Sequence, residues 1–382
     1  MKEDEKKVYF PNLDGIRFLA IALIIVHHIE QIKDIYGLDN AWGYSAIRNL
    51  GSVGVTLFFV LSGFLITYLL LYEKKETGKI DVKKFHTRRV LRIFPLYYLV
   101  VALGFLVLPL ILMVPGFPIE FTSTNFIKTL LLFLLLLPNL AVVLVVYVPF
   151  ITHLWAIGSL EQFYLLWPTV IEKVKRNLFG VLLFVIAIFV VLRNLPFLLY
   201  GHGYTYEPLV TMGYFFTHFR VDCMAIGALG ALILFSNDRR FLDILYRTEV
   251  QVIVLVVTVL CVVIGLDIRY VSFDVYSLLF IILILNAAAN PKTILKLENP
   301  SLNYLGRVSY GIYLFHPLAI FMLLEVFNGI STGDGMVSNV LLYILVFTLS
   351  IVLAVVSYQF YEQRFLKKKK EYTVINSGDE RV

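Results

Sequence analysis

Apolar residues gather into eleven long runs, at about residues 13–32, 51–72, 94–114, 126–148, 151–171, 178–199, 209–235, 250–266, 272–289, 304–327 and 338–361. Most approach the ~20 residues a helix needs to cross a ~30 Å hydrocarbon core. The first run, LDGIRFLAIALIIVHHIE, is interrupted by Arg17, His27 and His28. Eleven positions separate Arg17 from His28, so on a helix they lie about 16 Å apart along the axis, about half of a membrane core. With Arg17 at one membrane face, His28 falls near mid-depth. An ionisable group there costs about 2.5 to 3.5 kcal/mol on insertion scales, and such groups face a protein interior or a water cavity.

Composition fixes the solvent. With 59% hydrophobic and 16% charged residues and a mean hydropathy of +0.82, the 382 residues hold too little polar surface for a soluble domain. The expectation is an all-α integral membrane protein. Its two cysteines, Cys223 and Cys261, both lie in apolar runs and imply no disulfide framework. The first apolar run has no small-residue cleavage site near its end, so a cleavable signal is not expected.

The net charge of +6 is unevenly placed, which excludes nucleic acid as an expected partner and orients the helices instead. Residues 73–92 carry eight Lys or Arg, residues 172–177, 236–249 and 291–307 three each, and residues 367–370 four. These stretches are read as cytoplasmic, whereas residues 115–125, 200–208 and 328–336 carry none. Two apolar runs lie between the outer loop 115–125 and the inner loop 172–177, so one of them fails to cross. The pair is broken by Pro138, Asn139 and Pro149, and irregular backbone at membrane depth survives only against protein or a water-filled cavity. The reading is therefore a bundle of about ten transmembrane helices plus one re-entrant or surface segment within 126–150, with both termini cytoplasmic. Residues 1–366 form one membrane domain and 367–382 a basic then polar tail, expected to be disordered.

Each polar interruption admits a structural and a chemical reading. Ser62 and Gly63 are small residues that let helices pack closely. In KKFHTRRVLRIFPLYY, Arg88, Arg89 and Arg92 are either topology anchors or a phosphate clamp, since forked guanidiniums suit phosphate oxygens. Glu161, inside HLWAIGSLEQFYLLWP, needs a cation or donor nearby. Arg220 and Asp222 point to different faces of a helix and so meet other segments. Tyr310, Tyr313 and His316 in GRVSYGIYLFHP stand at three-residue steps on one gradually turning face.

Taken together, this set and its order resemble the acyltransferase 3 family of integral-membrane acyltransferases, from Leu13 to Arg364. The pieces are LDGIR with a histidine eleven positions after its arginine, VTLFFVLSGFLI, FHTRRVLRIFPLYY with Arg89 and Arg92 in an Arg-x-x-Arg pattern, and HLWAIGSLEQFYLLWP. FRVD followed by Gly227, SYGIYLFHP and a closing YEQRF complete the set. Two pieces depart from the family pattern: Trp155-Ala156-Ile157 replaces Trp-Ser-Leu, and Glu362-Gln363-Arg364 replaces a Glu-Arg-Pro type ending. Some family members carry a further extracytoplasmic esterase-like domain, for which this chain ends too soon.

The resemblance implies transfer of an acyl group, commonly acetyl, from acyl-CoA to a hydroxyl of a cell-envelope carbohydrate or glycolipid in the bacterial cytoplasmic membrane. Acyl-CoA would be a donor substrate, with no permanently bound cofactor and no metal site. A hydroxyl is a weak nucleophile, so a neutral histidine suits it as general base, a role assigned to His28. Arg17, Glu161, Tyr310 and Tyr313 would complete the catalytic set, with Arg17 or the tyrosine hydroxyls meeting developing charge on the thioester oxygen. Arg88, Arg89 and Arg92 would hold CoA phosphates, while Asp14, Ser62, Trp155, Arg220, Asp222 and His316 would line the substrate path. A homo-oligomer is compatible with this reading. Intramembrane charges and a broken helix also fit a secondary transporter, although no inverted repeat is evident. An acyltransferase with a lipid or small-molecule acceptor is the third reading.

Overall fold

The computed structural model describes residues 7–107, 124–144, 148, 150–174, 176–201, 206–268, 271–330 and 335–377. The outer loops 115–125, 200–208 and 328–336 therefore lie partly outside the described residues. The apolar runs become helices: α1 (Leu13–Ile35), α2 (Ser45–Thr77), α3 (Val82–Ala102), α4 (Thr124–Leu134), α5 (Pro138–Leu144), α6 (Trp155–Lys173), α7 (Leu178–Gly201), α8 (Glu207–Phe219), α9 (Val221–Phe235), α10 (Arg239–Leu245), α11 (Thr248–Val263), α12 (Ser272–Ala289), α13 (Pro300–Ile330), α14 (Met336–Ser357) and α15 (Gln363–Lys370). Among the described residues the only strand pairing is a two-residue parallel contact, β1 (Lys7–Val8) with β2 (Asn376–Ser377).

Among the described residues eight helices, α8 and α9 counting as one, are long and apolar enough to cross a membrane, or nine if the bent pair α10–α11 is one span. Helix α6 is 19 residues long, about 28 Å, but Glu161 and Gln162 make it less apolar than these.

Among the described residues between α3 and α6, two short helices pack against their neighbours. Helix α4 descends beside α3, with Phe126 near Phe105 at its start and the carbonyls of Phe133 and Leu134 accepting from Tyr97 and Tyr98 at its end. The chain then turns at Leu136, which takes a left-handed backbone conformation. Helix α5 follows, and Ile151, before α6, packs on Gly104 after α3. Polar groups at the turn are satisfied by protein: Asn139 and Gln162 exchange hydrogen bonds of 3.1 and 2.8 Å, and Gln162 also donates to the Leu136 carbonyl. Gly158 leaves space for Pro138, where a Cβ would stand 2.5 Å from the proline ring.

The centre of the bundle is α2 packed on α1 and α9. A Cβ at Gly63 would lie 2.0 Å from the Met224 carbonyl oxygen, and one at Gly227 2.0 Å from that of Val60, so the two glycines permit a reciprocal close approach of α2 and α9. Basic loops gather on one face, where Lys74 donates to the carbonyls of Ile171 and Glu172 at 2.7 Å and Asn12 bridges Ala287 and Leu297. Residues 367–377 continue from α15 through a turn into β2 and lie on this basic face, held by Arg88 donating to the Tyr372 carbonyl at 2.9 Å.

Candidate functional site

A cavity of about 190 Å³ enters the bundle from the basic face. Helix α1 contributes Asp14 and Arg17, which form an ion pair one turn apart. Helix α2 contributes Ser62, within hydrogen-bonding reach of Tyr164. Arg88, Arg89 and Arg92 project from α3, Glu161 from α6 and Tyr310 from α13. Eight of the fourteen residues singled out in the sequence thus share one wall system.

Arg88 and Arg89 are differently held. Arg88 pairs with the buried Glu73 at 3.2 Å. Arg89 lies over the Tyr164 ring, 4.7 Å from its centroid, with Phe85 at 5.6 Å, and interacts electrostatically with Glu161. Stacking fixes the guanidinium plane while leaving its N–H edge directed by charge. Lys369 and Thr373, from beyond α14, complete the mouth.

Beyond the inner end of the cavity three histidines meet. Tyr310 lines the cavity, and His316 lies six residues, about 9 Å, further along α13. Nδ1 of His28 lies 2.9 Å from Nε2 of His316, and Nδ1 of His316 lies 2.6 Å from the Tyr313 carbonyl oxygen. These contacts determine the tautomers. A carbonyl only accepts, so His316 carries its proton on Nδ1 and, when neutral, offers a lone pair at Nε2. His28 must then donate from Nδ1, which leaves the lone pair of a neutral His28 on Nε2. His28 is half-buried and His316 fully buried.

Tyr310 and Tyr313 bind backbone with their hydroxyls: Tyr310 donates to the Ile93 carbonyl at 2.8 Å, and Tyr313 to that of His153. Their O–H protons tie α13 to α3 and to the start of α6. His153, on the 3₁₀ turn Thr152–Leu154, has no hydrogen-bond partner at either ring nitrogen among the described residues. A buried polar atom left so costs about 1 to 3 kcal/mol. The sequence carried one signal for it, an ionisable residue at the head of HLWAIG, but a single histidine before a tryptophan has no partner legible from spacing.

The remaining candidates form a separate cluster. Trp155 packs edge-on against His218 and Phe59. Arg220 occupies the joint between α8 and α9 in a left-handed conformation, and its Nε donates at 2.9 Å to the Thr217 carbonyl at the end of α8. Its guanidinium stacks 3.7 Å from the Phe273 centroid and 5.3 Å from that of Trp155, and reaches Thr56 on α2. Asp222 pairs with Arg193, which also pairs with Asp274. Arg193 is a lone charge in the apolar run 178–199, the signal that should have singled it out. Among the described residues no group of three or more His, Cys, Asp or Glu side chains is placed to hold a metal ion.

A family model described as an acyltransferase domain matches residues 10–359, nearly the whole chain. The chain belongs to this acyltransferase family. A Staphylococcus aureus (strain COL) protein named as an O-acetyltransferase is 26% identical over 388 residues, covering 95% of this chain and 58% of the relative. The O-acetyltransferase OatA of Staphylococcus aureus (strain NCTC 8325 / PS 47) is 28% identical over 399 residues, covering 94% and 58%. The chain thus spans a little over half the length of these curated relatives. No solved structure matches it.

Proposed function

We propose that the protein is a membrane O-acyltransferase that moves an acetyl group from acetyl-CoA to a hydroxyl of a cell-envelope carbohydrate or glycoconjugate. The observation that carries this reading is the directed hydrogen-bond chain Tyr313 carbonyl, His316, His28, which leaves the lone pair on Nε2 of His28, eleven residues along α1 from the Arg17 that lines the arginine-rich cavity. The basic face is then cytoplasmic, as the loop charges require of a bacterial inner-membrane protein with both termini inside. The CoA phosphates would rest on Arg88, Arg89 and Arg92, and the thioester would reach inward past Glu161 and Tyr310. Nε2 of His28 would take the proton of the acceptor hydroxyl, a contribution of about 10²- to 10⁴-fold. The names of the relatives support acetyl as the group and oxygen as the acceptor atom. In this scheme Arg17 and Asp14 fix the donor end, Tyr310 and Tyr313 set the position of α13, and Trp155 and Arg220 border the acceptor side.

The test is release of free CoA from acetyl-CoA by the purified full chain, with envelope glycan fragments as acceptor, and mass spectrometry of the fragments. Acceptor-dependent CoA release with a gain of one acetyl group supports the reading. Transport of a solute without CoA release overturns it in favour of a transporter.

A further inference from the structure

His153 is the member of the histidine cluster that the hydrogen-bond chain leaves unused. It is 4% exposed, and its ring centroid lies 5.1 Å from those of Tyr313 and His316 and 6.5 Å from that of His28. Neither ring nitrogen makes a hydrogen bond of good geometry among the described residues, although the backbone of Tyr313 and Leu314 lies beside the ring. His316, equally buried, has both of its nitrogens engaged. A neutral imidazole has one N–H and one lone pair in either tautomer, so His153 holds an unused donor beside the proposed base. Native proteins pair buried polar groups, and an exception of this kind asks for an occupant.

The backbone that carries this ring is pinned. The His153 carbonyl accepts from the Tyr313 hydroxyl, and the Thr152 hydroxyl donates to the Val148 carbonyl at 2.6 Å while accepting from the Val148 amide at 3.0 Å. A fixed backbone with an unsatisfied ring is the arrangement expected of a donor prepared for charge that develops only during reaction. The ring also borders the base: His28 and His153 stand edge-on to each other with centroids 6.5 Å apart.

We propose that the imidazole N–H of His153 is the oxyanion donor of the acyl transfer, an assignment that rests on the reading of His28 as base. The acceptor oxygen attacks the thioester carbonyl carbon, its proton passes to Nε2 of His28, and the carbonyl π pair moves onto the oxygen that His153 holds. When the intermediate collapses, the C–S bond breaks and the CoA thiolate takes the proton from His28, giving an ester and free CoA. His153 stays neutral throughout and exchanges no proton with substrate.

The experiment is single-turnover CoA release from acetyl-CoA with envelope glycan fragments, measured on purified full-length protein, together with CoA affinity and thermal midpoint. His153→Ala and His153→Phe should each lower the rate about 10²- to 10³-fold while CoA affinity stays within twofold. His153→Gln, which restores an N–H donor, should recover at least tenfold of that loss. Rates for His153→Ala within threefold of wild type, with His28→Ala inactive, overturn this proposal and leave the base assignment standing. Equal losses in the Gln and Phe variants, or losses that follow the thermal midpoint, make His153 a structural residue and overturn it as well. A wild-type protein that binds CoA but releases none from acetyl-CoA overturns both readings.

Discussion

Arg193 on α7 is held between Asp222 of α9 and Asp274 of α12, whereas His28 on α1 faces His316 and an unpaired His153. Both clusters are polar islands inside an apolar bundle, yet their bonding differs in kind. The first balances charge, two arginines against two aspartates once Arg220 is counted, and draws α7, α8, α9 and α12 together. The second holds neutral rings in a directed chain with donor and acceptor capacity to spare. Balanced charge secures helices; unspent capacity is what chemistry on a bound molecule requires.

The largest effect is expected where balanced charge is broken. Arg193→Met leaves two carboxylates facing each other without their cation, a loss of about 3 to 5 kcal/mol for a buried pair. Thermal unfolding in detergent should shift accordingly, and CoA release per folded molecule should stay near wild type. An unchanged midpoint would mean that the cluster does not bear on stability, and the contrast between the two islands would fail.

The second effect is catalytic and should leave the fold intact. His28→Ala is expected to reduce single-turnover acyl transfer by roughly 10²-fold or more, with CoA binding and thermal midpoint retained. Near-wild-type rates would remove His28 from the role of base.

The same contrast explains what the sequence disclosed. Membrane class and the helix runs followed from hydropathy, because the bilayer imposes one-dimensional rules on a chain. Arg17, Arg88, Arg89, Arg92 and Glu161 were legible as expensive charges in apolar surroundings, and the cavity joins them. Pairings between distant helices were not legible. Nothing in spacing tells that Asp222 meets Arg193 rather than its near neighbour Arg220, that Glu73 holds Arg88, or that Tyr310 and Tyr313 give their protons to backbone carbonyls. His153 was hidden for the same reason: its significance is an absence of partners, which only packing reveals.

A smaller effect should separate the mouth of the cavity from both islands. Arg89→Ala removes a guanidinium stacked on Tyr164 and is expected to weaken CoA affinity about tenfold, with little change in the rate from bound donor. Arg89→Lys keeps the charge but loses the planar fork and the stacking, so it should recover only part of the loss. Isothermal titration of CoA into the purified variants measures this, and full recovery by lysine would reduce Arg89 to a topology anchor.

The smallest effect is expected at the residue next to the proposed base. His27 and His28 point about 100° apart on the helix, and their ring centroids are 5.1 Å apart. His27 turns toward α2, where Gly51 makes room for its ring: a Cβ there would stand 2.6 Å from it. Trp42 packs edge-on at 4.9 Å, and the ring Nδ1 lies 3.3 Å from the Ile47 carbonyl oxygen. These contacts are those of a packing residue at a helix crossing. His27→Phe preserves an aromatic ring over Gly51 and removes both nitrogens, so a change below about 1.5 kcal/mol in stability is expected, as for other volume-conserving substitutions. Acyl transfer should remain within threefold of wild type. A loss in His27→Phe as deep as that in His28→Ala, at matched thermal midpoint, would mean that proton transfer runs through the pair, and that the chain from Tyr313 through His316 does not select the base.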